Sequence, residues 1–125
     1  PRPSLPYGQE VVRMRLANYH FGRIEADGVV YKHDLVVTPT EIRDWRRREG
    51  HRVYPEDLEP ALAATPQTIV IGTGFSGLLQ VTADAVRVLN GRAIELVAEK
   101  TAEAVEAFND LSRSQRVCAL LHLTC

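Results

Sequence analysis

The chain has 125 residues, of which 45% are hydrophobic and 25% are charged, and its formal net charge is −1. These values are typical of one globular domain, which at this length buries enough surface to fold without a metal or a disulfide framework. A nearly neutral charge excludes electrostatic binding of nucleic acid or anionic lipid by the molecule as a whole. The longest apolar runs, such as residues 117–121, are far shorter than the roughly 20 residues of a membrane-spanning helix.

Composition along the chain predicts a loose tail over residues 1–10 and a single domain over residues 11–125. The first residues are rich in proline and offer few side chains that could pack against a core.

The chain has two cysteines, Cys118 inside an apolar run and Cys125 at the end of the sequence. Because two cysteines do not make a disulfide scaffold, we expect a reducing compartment and a cytoplasmic location.

The N-terminal half is rich in β-prone residues. Asp27 and Gly28 stand between two such runs, residues 21–26 and 29–37, and they predict a hairpin. The reason is that both central positions of a type I′ turn need positive φ angles. Further along, Pro60 limits a short apolar segment to a helix that begins near residue 59 or breaks at the proline.

The C-terminal half alternates apolar strands with amphipathic helices. The predicted elements are strands over residues 68–71, 93–98 and 117–123, with helices capped by Thr82 and Thr101 between them. Strands that are apolar on both faces belong to a sheet that is covered on both sides. This half therefore predicts an α/β architecture.

The glycine loop, residues 72–77, directly follows the first of these strands. Its glycines match G-x-G-x-x-G, half of a dinucleotide-binding fingerprint, and Glu99 would supply the ribose-binding acid. In that fingerprint the helix begins within the glycines, whereas here residues 79–81 separate the loop from the cap at Thr82. We therefore favour a tight structural turn and expect no cofactor, with a groove for a ligand or a partner as the alternative.

The direction of the last strand decides what lies beside the glycine loop. If all three strands are parallel, their carboxyl ends place the loop, Lys100 with Thr101, and residues 123–125 along one edge, where open α/β sheets bind ligands. Lys100 and the free backbone N–H groups at the helix start would attract an anion there. If the last strand is antiparallel, His122 and Cys125 leave this edge.

Residues 43–52 combine aromatic and guanidinium groups in the way that nucleic-acid binders do. The segment is short and includes Asp44 and Glu49, so a solvated strand or loop face is the favoured interpretation.

Residues three apart on a strand point to opposite faces, so Cys125 and His122 do not make a catalytic pair.

No catalytic residue is assigned. Ser76 lies outside the G-x-S-x-G pattern of a nucleophile elbow, and Cys118 is expected to be buried and inert. The four histidines lack metal-ligand spacing, so structural roles are expected for them and no metal is expected.

Several pieces, taken in order, resemble one known family. They are Phe21-Gly22, Trp45 with Gly50-His51, Gly72-Thr73-Gly74, Thr101 with Ala104 and Asn109, and Leu121-His122-Leu123-Thr124-Cys125. Over residues 11–125 the chain resembles the Mth-like domain of unknown function, a family that includes an adipogenesis-associated human protein and the mitochondrial complex I assembly factor 3. The resemblance implies a three-layer α/β domain with a mixed, largely parallel sheet flanked by helices, plus an N-terminal β-hairpin layer. The family that it resembles carries no established catalytic activity and no established cofactor.

We therefore expect a non-catalytic interaction or assembly-type module with an unidentified protein partner, and no membrane or nucleic-acid partner. The alternative is a protein or enzyme that binds a small anionic ligand with the glycine loop. Both hypotheses require the glycine loop to be open to the outside. The predicted surface consists of Trp45, His51, Gly72, Thr73, Gly74, Phe75, Ser76, Gly77, Lys100 and Thr101.

Overall fold

The structure is a computed structural model that describes residues 14–125, so the tail predicted over residues 1–10 lies outside it. In chain order the elements are β1 (Leu16–His20), β2 (Arg23–Ala26), β3 (Val29–Tyr31), β4 (Leu35–Val37), β5 (Ile42–Asp44), β6 (Arg52–Val53), a 3₁₀ turn (Pro55–Leu58), α1 (Glu59–Leu62), β7 (Thr68–Thr73), β8 (Gln80–Val81), α2 (Ala83–Gly91), β9 (Glu95–Glu99), α3 (Thr101–Leu111) and β10 (Val117–His122).

A five-stranded sheet with the order β5-β4-β10-β7-β9 forms the centre of the fold. Strand β7 is parallel to both β10 and β9, whereas β4 is antiparallel to β10 and β5. Parallel neighbours need a crossover, and α2 and α3 provide the connections from β7 to β9 and from β9 to β10. The sheet is mixed, and its three C-terminal strands share one direction.

Three layers result from the alternation of side chains along β7 and β10. Val70 and Leu121 face one side, where α3 and a second sheet of order β1-β2-β3 cover them. Ile71 and Leu120 face the other side, where α1 and α2 cover them. Successive side chains of a strand point to opposite faces, so both faces of these two strands are apolar and buried. The predicted three-layer α/β fold is confirmed.

The predicted hairpin is also confirmed. Ala26 pairs with Val29 across the turn, and φ is 50° at Asp27 and 82° at Gly28. Helix α1 begins at Glu59 with Pro60 in its first turn, where a missing N–H group breaks no helical hydrogen bond. The pattern of turn residues was therefore sufficient to locate both features.

Strand β9 differs from its prediction as a strand apolar on both faces. Glu95 and Glu99 are exposed, and Leu96 and Val97 are only half-buried. The cause is its position, because β9 lies at the edge of the sheet with a single neighbour. A short apolar run in the sequence does not distinguish an edge strand from a central one.

The prediction that Thr101 caps α3 is wrong. Lys100 occupies the cap position, and Thr101 is the first residue of the helix. The Thr101 hydroxyl donates a hydrogen bond to the carbonyl oxygen of His122 at 2.6 Å and accepts one from the backbone N–H of Gly74 at 2.9 Å. This side chain therefore joins two neighbouring strand ends instead of capping its own helix.

The predicted cap at Thr82 is present, and its removal should weaken the fold. The Thr82 hydroxyl accepts from the backbone N–H of Ala85 at 3.3 Å and donates to the carbonyl oxygen of Val53 at 2.7 Å. We expect Thr82→Ala to lower the free energy of unfolding by about 1 kcal/mol in urea titrations. Thr40→Ala, at an exposed position, is the matched control, and equal losses in the two variants would contradict this role.

Candidate functional site

The carboxyl ends of the parallel strands form the edge that the parallel interpretation predicted. Thr73 of β7 pairs with His122 of β10, and Gly72 pairs with Glu99 of β9. Beyond the strands, the N–H of Phe75 donates to the carbonyl oxygen of Thr124 at 2.6 Å. We call this edge the rim. It consists of the glycine loop (residues 72–77), Lys100, Thr101 and residues 123–125.

The backbone of the glycine loop is partly covered, contrary to the expectation that it lies open. Gly72 and Gly74 are both buried. A Cβ atom added to Gly74 would lie 2.5 Å from the carbonyl oxygen of Cys125, and one added to Gly72 would lie 2.8 Å from the Thr101 hydroxyl. These glycines therefore permit close packing against the rest of the rim, while Phe75 and Ser76 are exposed.

Two further residues of the predicted surface are buried, in addition to Gly72 and Gly74. Trp45 is 4% exposed, and its indole N–H donates to the carbonyl oxygen of Asp57 at 3.0 Å. Burial removes the large apolar area of the indole from water while its one donor stays satisfied. Thr101 is 0% exposed. Neither side chain can contact a partner, whereas His51 and Lys100 are exposed.

An exposed apolar surface, which we call the aromatic patch, adjoins the rim. It consists of Phe21 and Phe75, together with Leu78, which lies three positions after Phe75 in the chain; they are 58%, 58% and 52% exposed. The two phenylalanine rings contact each other edge to face, with 5.9 Å between their centroids. Phe75 belongs to the predicted surface, but Phe21 and Leu78 do not. Sequence spacing could not indicate this patch, because Phe21 is contributed by the distant β1–β2 turn.

A buried charged cluster, which we call the buried triad, lies beneath His51. It consists of Asp34, Arg47 and His122, whose side chains are 19%, 6% and 7% exposed. One oxygen of Asp34 is 2.8 Å from Nη1 of Arg47 and 2.8 Å from Nδ1 of His122. Its other oxygen accepts from the backbone N–H of Leu123 at 2.8 Å. The sequence analysis did not identify Asp34 or Arg47, which lie far from His122 along the chain.

The hydrogen bonds of the buried triad lower the pKa of Asp34. Burial acts to raise the pKa of Asp34, but the hydrogen bonds from His122, the backbone of Leu123 and Arg47 outweigh it and lower the pKa below 3.8. Since a carboxylate only accepts hydrogen bonds, Nδ1 of His122 carries the proton. Among residues 14–125, Nε2 of His122 and Nε of Arg47 are buried without a hydrogen-bond partner.

The two cysteines have opposite environments. Cys118 is buried, and burial raises the pKa of its thiol to about 12, so it is inert as predicted. Sγ of Cys125 lies 3.7 Å from Nε2 of His51. The His51 ring packs edge to face on the ring of His122, with 5.7 Å between centroids. The rim therefore brings together a thiol and an imidazole that are 74 positions apart in the chain.

The helix that follows the glycine loop begins at Ala83, so its N-terminus does not lie within the glycines, as a pyrophosphate site would require. Within residues 14–125, no three histidine, cysteine or acidic side chains are arranged to hold a metal ion. No helix in this range is long and apolar enough to cross a membrane.

Proteins of solved structure share this fold with low sequence identity. A conserved hypothetical protein from Pyrococcus horikoshii OT3 is 27% identical, with a TM-score of 0.78 over 90% of this chain and 100% of that one. A Bordetella pertussis protein described as a Mth938-like domain is 18% identical, with a TM-score of 0.74 over 92% and 89% of the two chains. An outer membrane protein from Bartonella henselae is 22% identical, with a TM-score of 0.78 over 94% and 100%.

A sequence family described as "Protein of unknown function (DUF498/DUF598)" matches residues 16–122. The match spans most of the chain, from the first strand to the end of β10. The protein therefore belongs to this family.

Proposed function

We propose that this domain is a non-catalytic, assembly-type module that binds an apolar segment of another protein at the aromatic patch. The observation that carries the proposal is the exposure of Phe21, Phe75 and Leu78, each more than half exposed beside the rim. Clustered exposed apolar groups mark interaction surfaces, and aromatic side chains are enriched at the centres of such interfaces.

The backbone that carries the aromatic patch is held in place before any partner binds. The N–H of Gly22, next to Phe21, donates to the carbonyl oxygen of Leu123 at 2.9 Å. The N–H groups of Phe75 and Leu78 donate to residues 124 and 125 at 2.6 and 3.2 Å. Ordering costs oppose binding, so a surface whose backbone is already ordered favours association.

The sequence resemblance supports the same kind of role. Its family includes an assembly factor of respiratory complex I, and assembly factors act through contacts with other proteins. We also propose a cytoplasmic location, because both cysteines are free in the structure and a reducing compartment keeps them so.

A double variant of the aromatic patch tests the proposal. We expect Phe21→Ser with Phe75→Ser to abolish copurification of a stoichiometric partner from the native cell, because both rings would be lost from the interface. Both side chains are mostly exposed, so the free energy of unfolding should fall by no more than about 1 kcal/mol. A photo-crosslinker at position 75 should attach to the same partner.

Val29→Ser is the matched control, because Val29 is 53% exposed on the separate β2–β3 hairpin. This variant should keep the partner, and a photo-crosslinker at position 29 should not attach to it. If the double variant keeps its partner, or if the control loses it equally, the aromatic patch is not the binding surface.

The alternative hypothesis, a small anionic ligand on the glycine loop, has less support. Gly72 and Gly74 pack against Thr101 and Cys125, so their backbone is not available for close approach. Lys100 is exposed, but its side chain lies against Gly77, where an added Cβ atom would be 3.3 Å from Cγ of Lys100.

A thermal-shift screen with nucleotides, acyl-CoAs and sugar phosphates separates the two hypotheses. A ligand at 100 times its dissociation constant would add about 2.7 kcal/mol to the free energy of unfolding. We expect no change in melting temperature with these compounds. A clear rise that is lost in Lys100→Ala would favour the anionic ligand.

A further inference from the structure

We propose that Cys125 is a nucleophilic thiol that forms mixed disulfides with small disulfides, and that His51 accepts its proton. The fold brings these two side chains together, and Sγ of Cys125 lies 3.7 Å from Nε2 of His51. Both residues are accessible, since His51 is exposed and Cys125 is half-buried. The thiolate is the reactive form of cysteine, and a neighbouring imidazole promotes its formation.

The short segment of residues 78–80, just after the glycine loop, holds both members of this pair. The N–H of Leu78 donates to the carbonyl oxygen of Cys125 at 3.2 Å. The N–H of Gln80 donates to the carbonyl oxygen of His51 at 2.9 Å. Cys125 and His51 are far apart in the chain, but they bind to donors only two positions apart, Leu78 and Gln80. These hydrogen bonds hold the thiol and the imidazole close to each other.

The buried triad provides a second, independent observation at the same place. The His122 side chain is 7% exposed, and its Nε2 has no hydrogen-bond partner among residues 14–125. Its ring is held by Asp34 at Nδ1 and packs against the ring of His51. A buried nitrogen without a hydrogen-bond partner is costly, so it requires an explanation, and a role in catalysis or redox chemistry is one. We infer that His122 positions His51.

The exchange reaction is balanced without a further reactant. The Cys125 thiol transfers its proton to Nε2 of His51, and the thiolate attacks one sulfur of a small disulfide, RSSR. The bond between Cys125 and that sulfur forms while the S–S bond of RSSR breaks. The leaving thiolate takes the proton from His51 and departs as RSH. The sulfur of Cys125 is oxidised from −2 to −1, and the sulfur that leaves as RSH is reduced from −1 to −2.

Oxidised glutathione is a direct probe of this reaction. The full chain, mixed with it at neutral pH, should gain one glutathionyl group at Cys125 as measured by intact-protein and peptide mass spectrometry. Cys125→Ser should gain none, whereas Cys118→Ser should react as the wild type does. No adduct at Cys125, or an adduct at Cys118, would overturn the proposal.

The rate of the same reaction tests the role of His51. His51→Ala should slow the exchange by about threefold, because no imidazole would then lie beside Sγ of Cys125 to accept its proton. His33→Ala, at an exposed histidine near Asp44, should leave the rate unchanged. Equal rates in the wild type and His51→Ala would show that the imidazole has no part in the reaction. Melting temperatures should match, since both positions are exposed.

Discussion

Replacing Asp34 by asparagine is expected to lower the free energy of unfolding by about 3 to 5 kcal/mol at neutral pH, the cost of breaking a buried ion pair. One oxygen of Asp34 accepts from Arg47 and His122, and the other accepts from the backbone of Leu123. In one orientation the NH₂ group of asparagine would face the donors of Arg47 and His122, and in the other it would face the N–H of Leu123. Either way, two hydrogen-bond donors would point at each other. The Arg47 guanidinium, 6% exposed, would also remain buried without a counter-charge.

Chemical denaturation at several pH values checks this prediction and its cause. The pKa of Asp34 lies below 3.8 in the folded protein, so its stabilising effect is complete above about pH 4 and is lost as the pH falls through the folded value. Asparagine does not titrate, so the difference between the wild type and Asp34→Asn should shrink below about pH 4.

Asp44→Asn is the matched control for Asp34→Asn. It makes the same chemical change at an exposed side chain that contacts His33 and forms an ion pair with Arg46. Exposed ion pairs contribute little, so we expect a loss below about 1 kcal/mol. Equal losses at the two positions, or a difference that does not vary with pH, would contradict the role given to the buried triad.

Replacing Gly74 by alanine is expected to lower the free energy of unfolding by about 3 kcal/mol, from two causes. Its φ of +104° is unfavourable for alanine, and its new Cβ atom would lie 2.5 Å from the carbonyl oxygen of Cys125. The added Cβ atom is fixed to the backbone of residue 74, and the atoms that it meets are backbone atoms of residues 124 and 125. Rotation of a side chain therefore cannot relieve the overlap. Residues 124 and 125 would have to shift, which would weaken their hydrogen bonds with Phe75 and Leu78.

Gly28→Ala separates these two causes. Gly28 also has a positive φ, +82°, but an added Cβ atom would meet nothing within 4 Å. We expect a loss of about 1 to 2 kcal/mol there, from backbone strain alone. Urea titration of both variants measures the difference, which reports the contact between Gly74 and Cys125. If the two variants lose equal stability, residues 124 and 125 do not press on the glycine loop.

Local patterns were reliable where neighbours in the chain decide the structure. The hairpin at Asp27 and Gly28 and the cap at Thr82 depend on backbone angles and hydrogen bonds within a few residues. The fold class followed from the alternation of apolar strands and amphipathic helices. The prediction for Thr101 was wrong because its hydroxyl forms hydrogen bonds with Gly74 and His122 instead of capping its helix. Both of these residues are distant in the chain.

The composition of the candidate site was less predictable. The rim was predicted only for the case in which all three strands are parallel, and the structure decided that direction. The sequence did not indicate that Cys125 covers Gly74. The pattern of residues 43–52 did not distinguish the buried Trp45 from the exposed His51. Exposure depends on what packs above a residue, and here that is set by elements elsewhere in the chain.

For this chain, the order of residues specified its elements, their turns and the α/β class, because periodicity and capping act over a few positions. The buried triad, the aromatic patch and the pair of Cys125 with His51 arose from folding. Each joins residues at least 50 positions apart. Their contacts depend on strand order and sheet direction, which bring distant segments to one edge.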